Sequence, residues 1–182
     1  RGDVLLTNDA LVTARANGTL GTVNPFFSNL AVAGSNININ ANNLNVLNSG
    51  ATKSKTRFAA IDNGLAENSG VKTQPAGNIN VNATGLVNLD NANIKNTLRP
   101  GAEGKIGDIN INANSLSLIN NSDISTSNAL GKGDAGNINV KTTGDISIVG
   151  TTPQSTEITT LKSNNSSISS STNGQGNTGK IT

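Results

Sequence analysis

The sequence predicts an all-β chain that folds as a parallel β-helix, a solenoid in which each rung contains three short strands. Three observations lead to this fold class: a repeated opening motif, a regular alternation of apolar and polar residues, and a low apolar content. Hydrophobic residues make up 34% of the 182 residues and aromatic residues 2%, against an apolar share of about 45–50% in typical globular domains. A narrow core that is filled by every second residue of each strand needs little apolar material, so the composition is compatible with such a solenoid.

The repeat is visible as an opening motif in which Gly or Ser precedes Asn or Asp and then an alternating run of Ile or Val with Asn. It begins at Ser35, Gly77, Gly107 and Gly136, and a fifth opening begins at Gly179. The spacings between these starts are 42, 30, 29 and 43 residues. Two units therefore have a basic length of about 30 residues, and the other two contain an insertion. Repeat proteins typically place such extra residues in loops.

Within each unit, apolar and polar residues alternate with the period of a β-strand and not of a helix. In the unit that opens at position 107, Ile109 and Ile111 form one pair, Leu116 and Leu118 form a second, and Ile124 marks a third segment. Gly, Asn and Ser separate these segments and favour turns. Each unit is therefore expected to contain three short strands, and stacked units would bury a continuous apolar column.

This pattern predicts one β-helix segment over residues 1–182 with about five to six rungs. The N-terminal residues fit the second half of the template, since Val4, Leu6 and Val12 match the apolar positions of later units. Three loop insertions are expected, at about 15–30, 53–76 and 149–165. The chain opens partway into one unit and stops at the start of another, so it is expected to be an internal piece of a longer protein.

The chain contains 32 Asn residues, although Asn is depleted in ordinary strands. Asn tolerates the left-handed backbone conformation that corners require, and stacked Asn side chains can hydrogen-bond along an in-register stack. The register predicts an external ladder formed by Asn38, Asn80, Asn110 and Asn139. It also suggests an inward-facing ladder formed by Asn8, Asn48 and Asn120.

The unit GDININANSLSLINNSDISTSNALGKGDA, at positions 107–135, resembles the repeats of filamentous haemagglutinin-like, two-partner-secretion exoproteins of the cyanobacterial type. The shared pattern is a GNI-x-I opening, then L-x-L, then an I-S-T/S strand, then G-x-G-x-A/T-G. The resemblance is strong at 77–148 and 166–182 and weak through 53–76. It implies a right-handed β-helix that an outer-membrane two-partner transporter exports, and a secreted or outer-cell-surface location.

The composition excludes several kinds of chemistry. The chain has no His and no Cys, so a His-based triad, a Cys nucleophile and ordinary zinc, haem or iron–sulfur sites are not available. A net charge of +2 provides no basic patch for nucleic acid. No cofactor and no metal are expected, because the Asp-rich turns of calcium-binding β-rolls do not occur. The carboxylates Asp108, Asp123, Asp134 and Asp145 are interpreted as turn and cap residues.

A polysaccharide-binding or polysaccharide-cleaving β-helix is the main alternative to a non-catalytic role. Hydrolases of this kind need two or three carboxylates on one face, but the acidic residues outside the repeats are separated in sequence. Stacking brings residues of successive units together, and Asp90 with Asn120 is one such pair. The shortage of aromatic residues argues against platforms for sugar stacking. An ice-binding array of Thr is also disfavoured, because Arg15 and Lys95 interrupt it.

The short motifs receive structural interpretations. Arg1-Gly2-Asp3 spells a cell-attachment tripeptide, but Val4 follows directly and belongs to the core pattern. The Gly pairs at 131/133 and 174/176 lack the Lys-Ser/Thr of a phosphate-binding loop and are interpreted as corners.

The sequence therefore predicts a structural or adhesive segment of an exported protein, a rigid β-helical rod or fibre component without catalysis. Beyond the transporter, possible partners are copies of the chain, end to end or side by side, and a surface or polysaccharide ligand of unknown identity. Apolar residues in the expected loops are the candidate partner contacts, because loops on a rigid scaffold carry function. These are Phe26, Phe27 and Phe58.

Overall fold

A computed structural model gives the fold of the chain. It describes residues 2–7, 11–13, 35–48, 60–69, 76–150 and 165–182. Within these ranges every regular element is a β-strand. No helix of the described part is long and apolar enough to cross a membrane.

The strands follow one another in groups of three, which form the rungs. A partial first rung consists of β1 (Val4–Thr7) and β2 (Leu11–Thr13). The four complete rungs are β3 (Ile37–Ala41), β4 (Leu44–Leu47) and β5 (Ala60–Leu65); β6 (Ile79–Ala83), β7 (Leu86–Asp90) and β8 (Asn93–Leu98); β9 (Ile109–Ala113), β10 (Ser115–Ile119) and β11 (Asp123–Asn128); and β12 (Ile138–Thr142), β13 (Ile146–Val149) and β14 (Ser167–Thr172).

Three parallel sheets run along the solenoid. We call them sheet I (β3-β6-β9-β12), sheet II (β1-β4-β7-β10-β13) and sheet III (β2-β5-β8-β11-β14). Each strand pairs only with the equivalent strand of the rungs before and after it, which confirms the predicted parallel β-helix with three strands per rung. An isolated bridge from Ile138 to Ile181 begins one more turn. Sheets II and III contain five strands each and sheet I four, so the described part has four to five rungs, close to the predicted five to six.

The register places like residues above one another through the stack. In sheet I, Ile37, Ile79, Ile109 and Ile138 form one column. In sheet II, equivalent columns contain Leu116 and Leu118. The residues between them point outward, as the burial alternation of β9 and β10 shows. The predicted period of two is therefore confirmed in the central rungs.

The last described strand of sheet II departs from the burial pattern. Ile146 and Ile148 occupy the columns of Leu116 and Leu118, yet they are 50% and 45% exposed. Within the described residues no strand pairs with the far edge of β13. The alternation within a strand thus determines whether a side chain points inward. Its burial also requires a neighbouring rung that covers it.

The range 53–76, expected as an insertion, contains the strand β5. Its residues pair with β8 in full register, from Ala60 opposite Asn93 to Leu65 opposite Leu98, and all six are buried. The alternation was not visible because Asp62, Asn63 and Gly64 interrupt it. Outside β5, the structure describes only residues 66–69 and 76 of that insertion. Most residues of the other two insertions lie outside the described ranges.

Asn residues at the corners adopt the left-handed conformation, as expected. Asn91, Asn120 and Asn121 have φ angles of 49°, 54° and 66°. The inward-facing ladder assigned to Asn8, Asn48 and Asn120 is wrong where the structure describes it. Asn48 and Asn120 are only half-buried, because both lie at the corner that follows a sheet II strand rather than inside the core; Asn8 lies outside the described residues.

Candidate functional site

The predicted external ladder of Asn side chains runs along the outer face of sheet I. The Nδ2 of Asn80 donates to the Oδ1 of Asn38, that of Asn110 to Asn80, and that of Asn139 to Asn110. Each of the three donor–acceptor distances is 2.8 Å. The ladder is therefore continuous over all four strands of the sheet, and its amide groups all point the same way along the axis.

A second outward column lies two residues further along each strand. It consists of Asn40, Asn82, Asn112 and Lys141, which are in register. Its first pair is joined by a longer hydrogen bond of 3.3 Å from Asn82 to Asn40. Among the described residues, the side chain of Asn112 has no hydrogen-bond partner. This column is therefore more open to ligands than the ladder.

The two columns enclose a shallow groove of about 470 Å³ on the outer face of sheet I. Among the described residues, its lining consists of carboxamides from both columns, Ile111 and Lys141, and Lys141 is the charged one. We call this surface, with its ladder, its second column and the groove between them, the amide face.

A third row of polar side chains borders the amide face where the strands of sheet I begin. The Oδ1 of Asn78 accepts from the backbone N–H of Asp108 at 2.8 Å, and the carboxylate of Asp108 accepts from the N–H of Asn137 at the same distance. The Oδ1 of Asn137 accepts from the N–H of Lys180 at 2.9 Å. These bonds tie each rung to the next and hold the amide face in register.

Sequence reasoning missed a buried polar column inside the solenoid. Asn63, Asn96 and Thr126 lie in register in sheet III and are fully buried. Asn96 Nδ2 donates to the carbonyl oxygens of Gly77 and Gly107, both at 2.9 Å. This amide therefore joins the opening of its own rung to that of the next.

The other two members of the column make equivalent bonds. Asn63 Nδ2 donates to the carbonyl of Gly77 at 3.0 Å, and Thr126 Oγ1 donates to that of Gly136 at 2.6 Å. A signal was present in the sequence, because each member follows the apolar residue of its third strand by two positions. It was missed because the inward polar ladder was assigned to Asn8, Asn48 and Asn120, which follow the second strand, and not to the third strand.

Ion pairs between described side chains lie in sheet III and at a corner, away from the amide face. Asp62, with its side chain 2% exposed, accepts from Arg99 at 3.0 Å, and Lys95 lies 4.0 Å away. Lys132 pairs with Glu103 at 2.9 Å on an exposed corner.

The enzymatic alternative considered four acids outside the repeats: Asp62, Glu67, Glu103 and Glu157. Asp62 and Glu103 are engaged by cations, Glu67 is exposed, and Glu157 lies outside the described residues. Breaking a largely buried pair such as Asp62 with Arg99 is costly.

Other predicted residues have structural contacts. Asn120 Nδ2 donates to Asp90 Oδ1 at 2.7 Å, so stacking does bring this pair together. Asp123 and Asp134 accept hydrogen bonds from Ser167 and Asn177 of the following rung. Gly2 and Asp3 are exposed, and the Asp3 carboxylate accepts from both nitrogens of Asn43 at 3.1 and 3.0 Å.

The candidate partner contacts Phe26, Phe27 and Phe58 lie outside the described residues. Within the described residues no group of three His, Cys, Asp or Glu side chains could hold a metal ion. Apart from Lys141, the amide face offers hydrogen bonding by uncharged donors and acceptors, and those of the ladder are held in place by their neighbours.

Comparison of the chain with models of protein families, with curated proteins and with solved structures gives no match. The resemblance of its repeats to filamentous haemagglutinin-like exoproteins therefore stays a prediction from the sequence.

Proposed function

We propose that this chain is a structural and adhesive segment of an exported surface protein, a stiff β-helical scaffold without catalysis. The observation that carries the proposal is the uninterrupted stacking of equivalent strands in all three sheets. The same register persists from β1 to β13 in sheet II and from β2 to β14 in sheet III. Such a stack resists deformation because each rung is joined to its neighbours along its whole length.

Side chains reinforce the backbone pairing both outside and inside the stack. The ladder of the amide face adds a hydrogen bond between successive rungs on the outside, and Asn96 joins two rungs on the inside. Each such bond stabilises by about 0.5–1.5 kcal/mol net. A mechanical role benefits from many cross-links of this kind spread evenly along the axis.

Export through an outer-membrane two-partner transporter and display at the cell surface are part of the proposal. They are supported by the resemblance of the repeats and by the polar outer surface of the solenoid. Association with further copies of the chain is a second element, since the far edge of β13 is not paired within the described residues and other strands can pair with such an edge.

Force spectroscopy on the isolated chain tests the scaffold proposal. The chain has no Cys, so Gly2→Cys and Lys180→Cys provide two unique handles near the ends of the stack. Nothing lies within 4 Å of a Cβ at Gly2. Lys180 is exposed, and its hydrogen bonds are made by its backbone N–H and carbonyl, which a Cys keeps. We expect the chain to resist extension and then to lengthen in discrete steps as rungs detach. Smooth extension without rupture events would overturn the scaffold proposal.

A further inference from the structure

We infer that the amide face is a binding site for an uncharged, extended β-1,4-linked glycan that lies in the groove along the solenoid axis. The inference rests on the proposed adhesive function, because it names the ligand class that this scaffold would hold. It is argued from the unused hydrogen-bonding capacity, the spacing, the charge and the shape of the groove.

Unused hydrogen-bonding capacity is the first argument. A carboxamide has two N–H donors and two acceptor lone pairs. In the ladder, Asn80 and Asn110 each spend one donor and one acceptor on their neighbours. Each therefore keeps one N–H and one lone pair for a ligand. Because the ladder fixes the amides, a ligand meets donors and acceptors that are already ordered, which lowers the entropic cost of binding.

The spacing of the amides is the second argument. Successive members of each column are one strand spacing apart, about 4.7–4.9 Å in a β-sheet. An extended β-1,4-linked glycan advances by close to this distance with each sugar. One sugar can therefore face each rung. Successive sugars of such a chain are turned over, so every rung meets hydroxyl groups and the same hydroxyl recurs at every second rung. The four rungs of sheet I correspond to about four sugars.

The charge of the groove selects a neutral chain. Of the described lining residues only Lys141 is charged, and it lies at one end, on the last strand of sheet I. A polyanionic glycan would bring a carboxylate to several rungs, where it would meet amides without a cation. Hydroxyl groups need no counter-charge, and they donate and accept hydrogen bonds as the amides do.

The composition of the amide face disfavours a protein partner. Protein interfaces have cores enriched in aromatic residues, Met and Arg, and both outward columns consist of Asn and Lys alone. A second copy of the chain would present the same hydrated amides and would contribute no apolar core. A glycan does not require such a core.

Binding of this kind is weak for one sugar and grows with chain length. Among the described residues that line the groove, none has an aromatic ring to stack on a sugar ring. Hydrogen bonds therefore carry the affinity there, and each contributes little net free energy in water. Several sugars bound in parallel add their contributions. We therefore expect the affinity to rise steeply up to about four sugars and then to level off.

Titration of the ¹⁵N-labelled chain with cellohexaose, followed by NMR, tests the inference. We expect saturable shifts of the Asn side-chain resonances in the groove, and weaker binding of cellobiose. The double variant Asn82→Val, Asn112→Val removes two amides from the more open column. It should bind cellohexaose at least about fivefold more weakly.

The matched control is Asn88→Val, the same substitution at an outward position of sheet II. It should leave cellohexaose binding unchanged. The inference is overturned if about 10 mM cellohexaose causes no shifts, or if the shifts lie elsewhere or persist in the double variant. Tighter binding of an oligogalacturonate would replace the neutral ligand class by an acidic one. Shifts of the same resonances on raising the protein concentration alone would identify a second copy as the occupant.

The outcome is independent of the scaffold proposal. If the chain resists force between its two handles but binds no glycan, the scaffold proposal stands and the glycan site is refuted. A chain that extends without resistance loses the scaffold proposal, whatever it binds.

Discussion

Truncation of Ile109 to Ala tests the stacked core at its centre. Ile109 is fully buried and lies in register between Ile79 and Ile138, which are also fully buried. Hydrogen bonds to both neighbouring strands hold the backbone at its spacing, so the column cannot close around the space that the side chain leaves. Ile→Ala substitutions in cores cost about 2–5 kcal/mol, and more where the site cannot collapse, so we expect about 4 kcal/mol here.

The same substitution at Ile146 provides a graded control. Ile146 occupies an inward position of sheet II, in register with Leu116, but it is 50% exposed. Half of the burial of such a side chain is worth about 1 kcal/mol, and truncation there leaves no closed cavity. Ile146→Ala should therefore cost about a quarter as much as Ile109→Ala.

Asn110→Ala is the control for the alternation, because Asn110 is the outward neighbour of Ile109. It removes two ladder hydrogen bonds of 2.8 Å, and we expect a loss of about 1–2 kcal/mol. Urea unfolding with linear extrapolation measures all three variants. Equal losses for the two Ile variants, or a larger loss for Asn110→Ala than for Ile109→Ala, would refute the reasoning.

Three further predictions concern corners and metal. Gly133→Ala should lower the free energy of unfolding by at least about 3 kcal/mol. The reason is that φ at Gly133 is 147° and a Cβ would collide with the carbonyl oxygen of Gly104. Gly2→Ala is the control and should be neutral in the same urea assay. Leu130 has φ 65° and is 65% exposed, so Leu130→Asn should raise the free energy of unfolding by about 0.5–1 kcal/mol; a loss would contradict the strain argument. Excess EDTA should leave the melting temperature unchanged, since the described residues contain no metal-ligand group, and a clear decrease would reveal a bound metal.

Much of the fold could be predicted because the positions of equivalent residues in successive repeats give the register in which the strands pair. Each opening motif places an Ile or Val in the same column, and the Asn between them must then point outward. The external ladder follows from this alternation alone, which is why Asn38 and its three partners were assigned correctly.

The remaining features depend on what lies beside a residue in space. The strand β5 carries Asp62, whose near-complete burial accompanies an ion pair with Arg99 of the next rung, and no local pattern reveals such a pairing. The buried amides of Asn63 and Asn96 are stabilised by carbonyl groups of the openings of adjoining rungs. The groove needs both outward columns in register, and the only one of them predicted as a ladder was the column of Asn38, Asn80, Asn110 and Asn139.

Methyl NOEs between stacked Ile side chains test the central claim most directly. In a sample with ¹³C-labelled Ile δ1 methyl groups, Ile109 should show cross-peaks to both Ile79 and Ile138, which are 30 and 29 residues away in sequence. Such contacts arise only if successive rungs lie directly above one another in the stated register. The absence of either cross-peak, in a folded sample with all three methyl groups assigned, would contradict the β-helix described here.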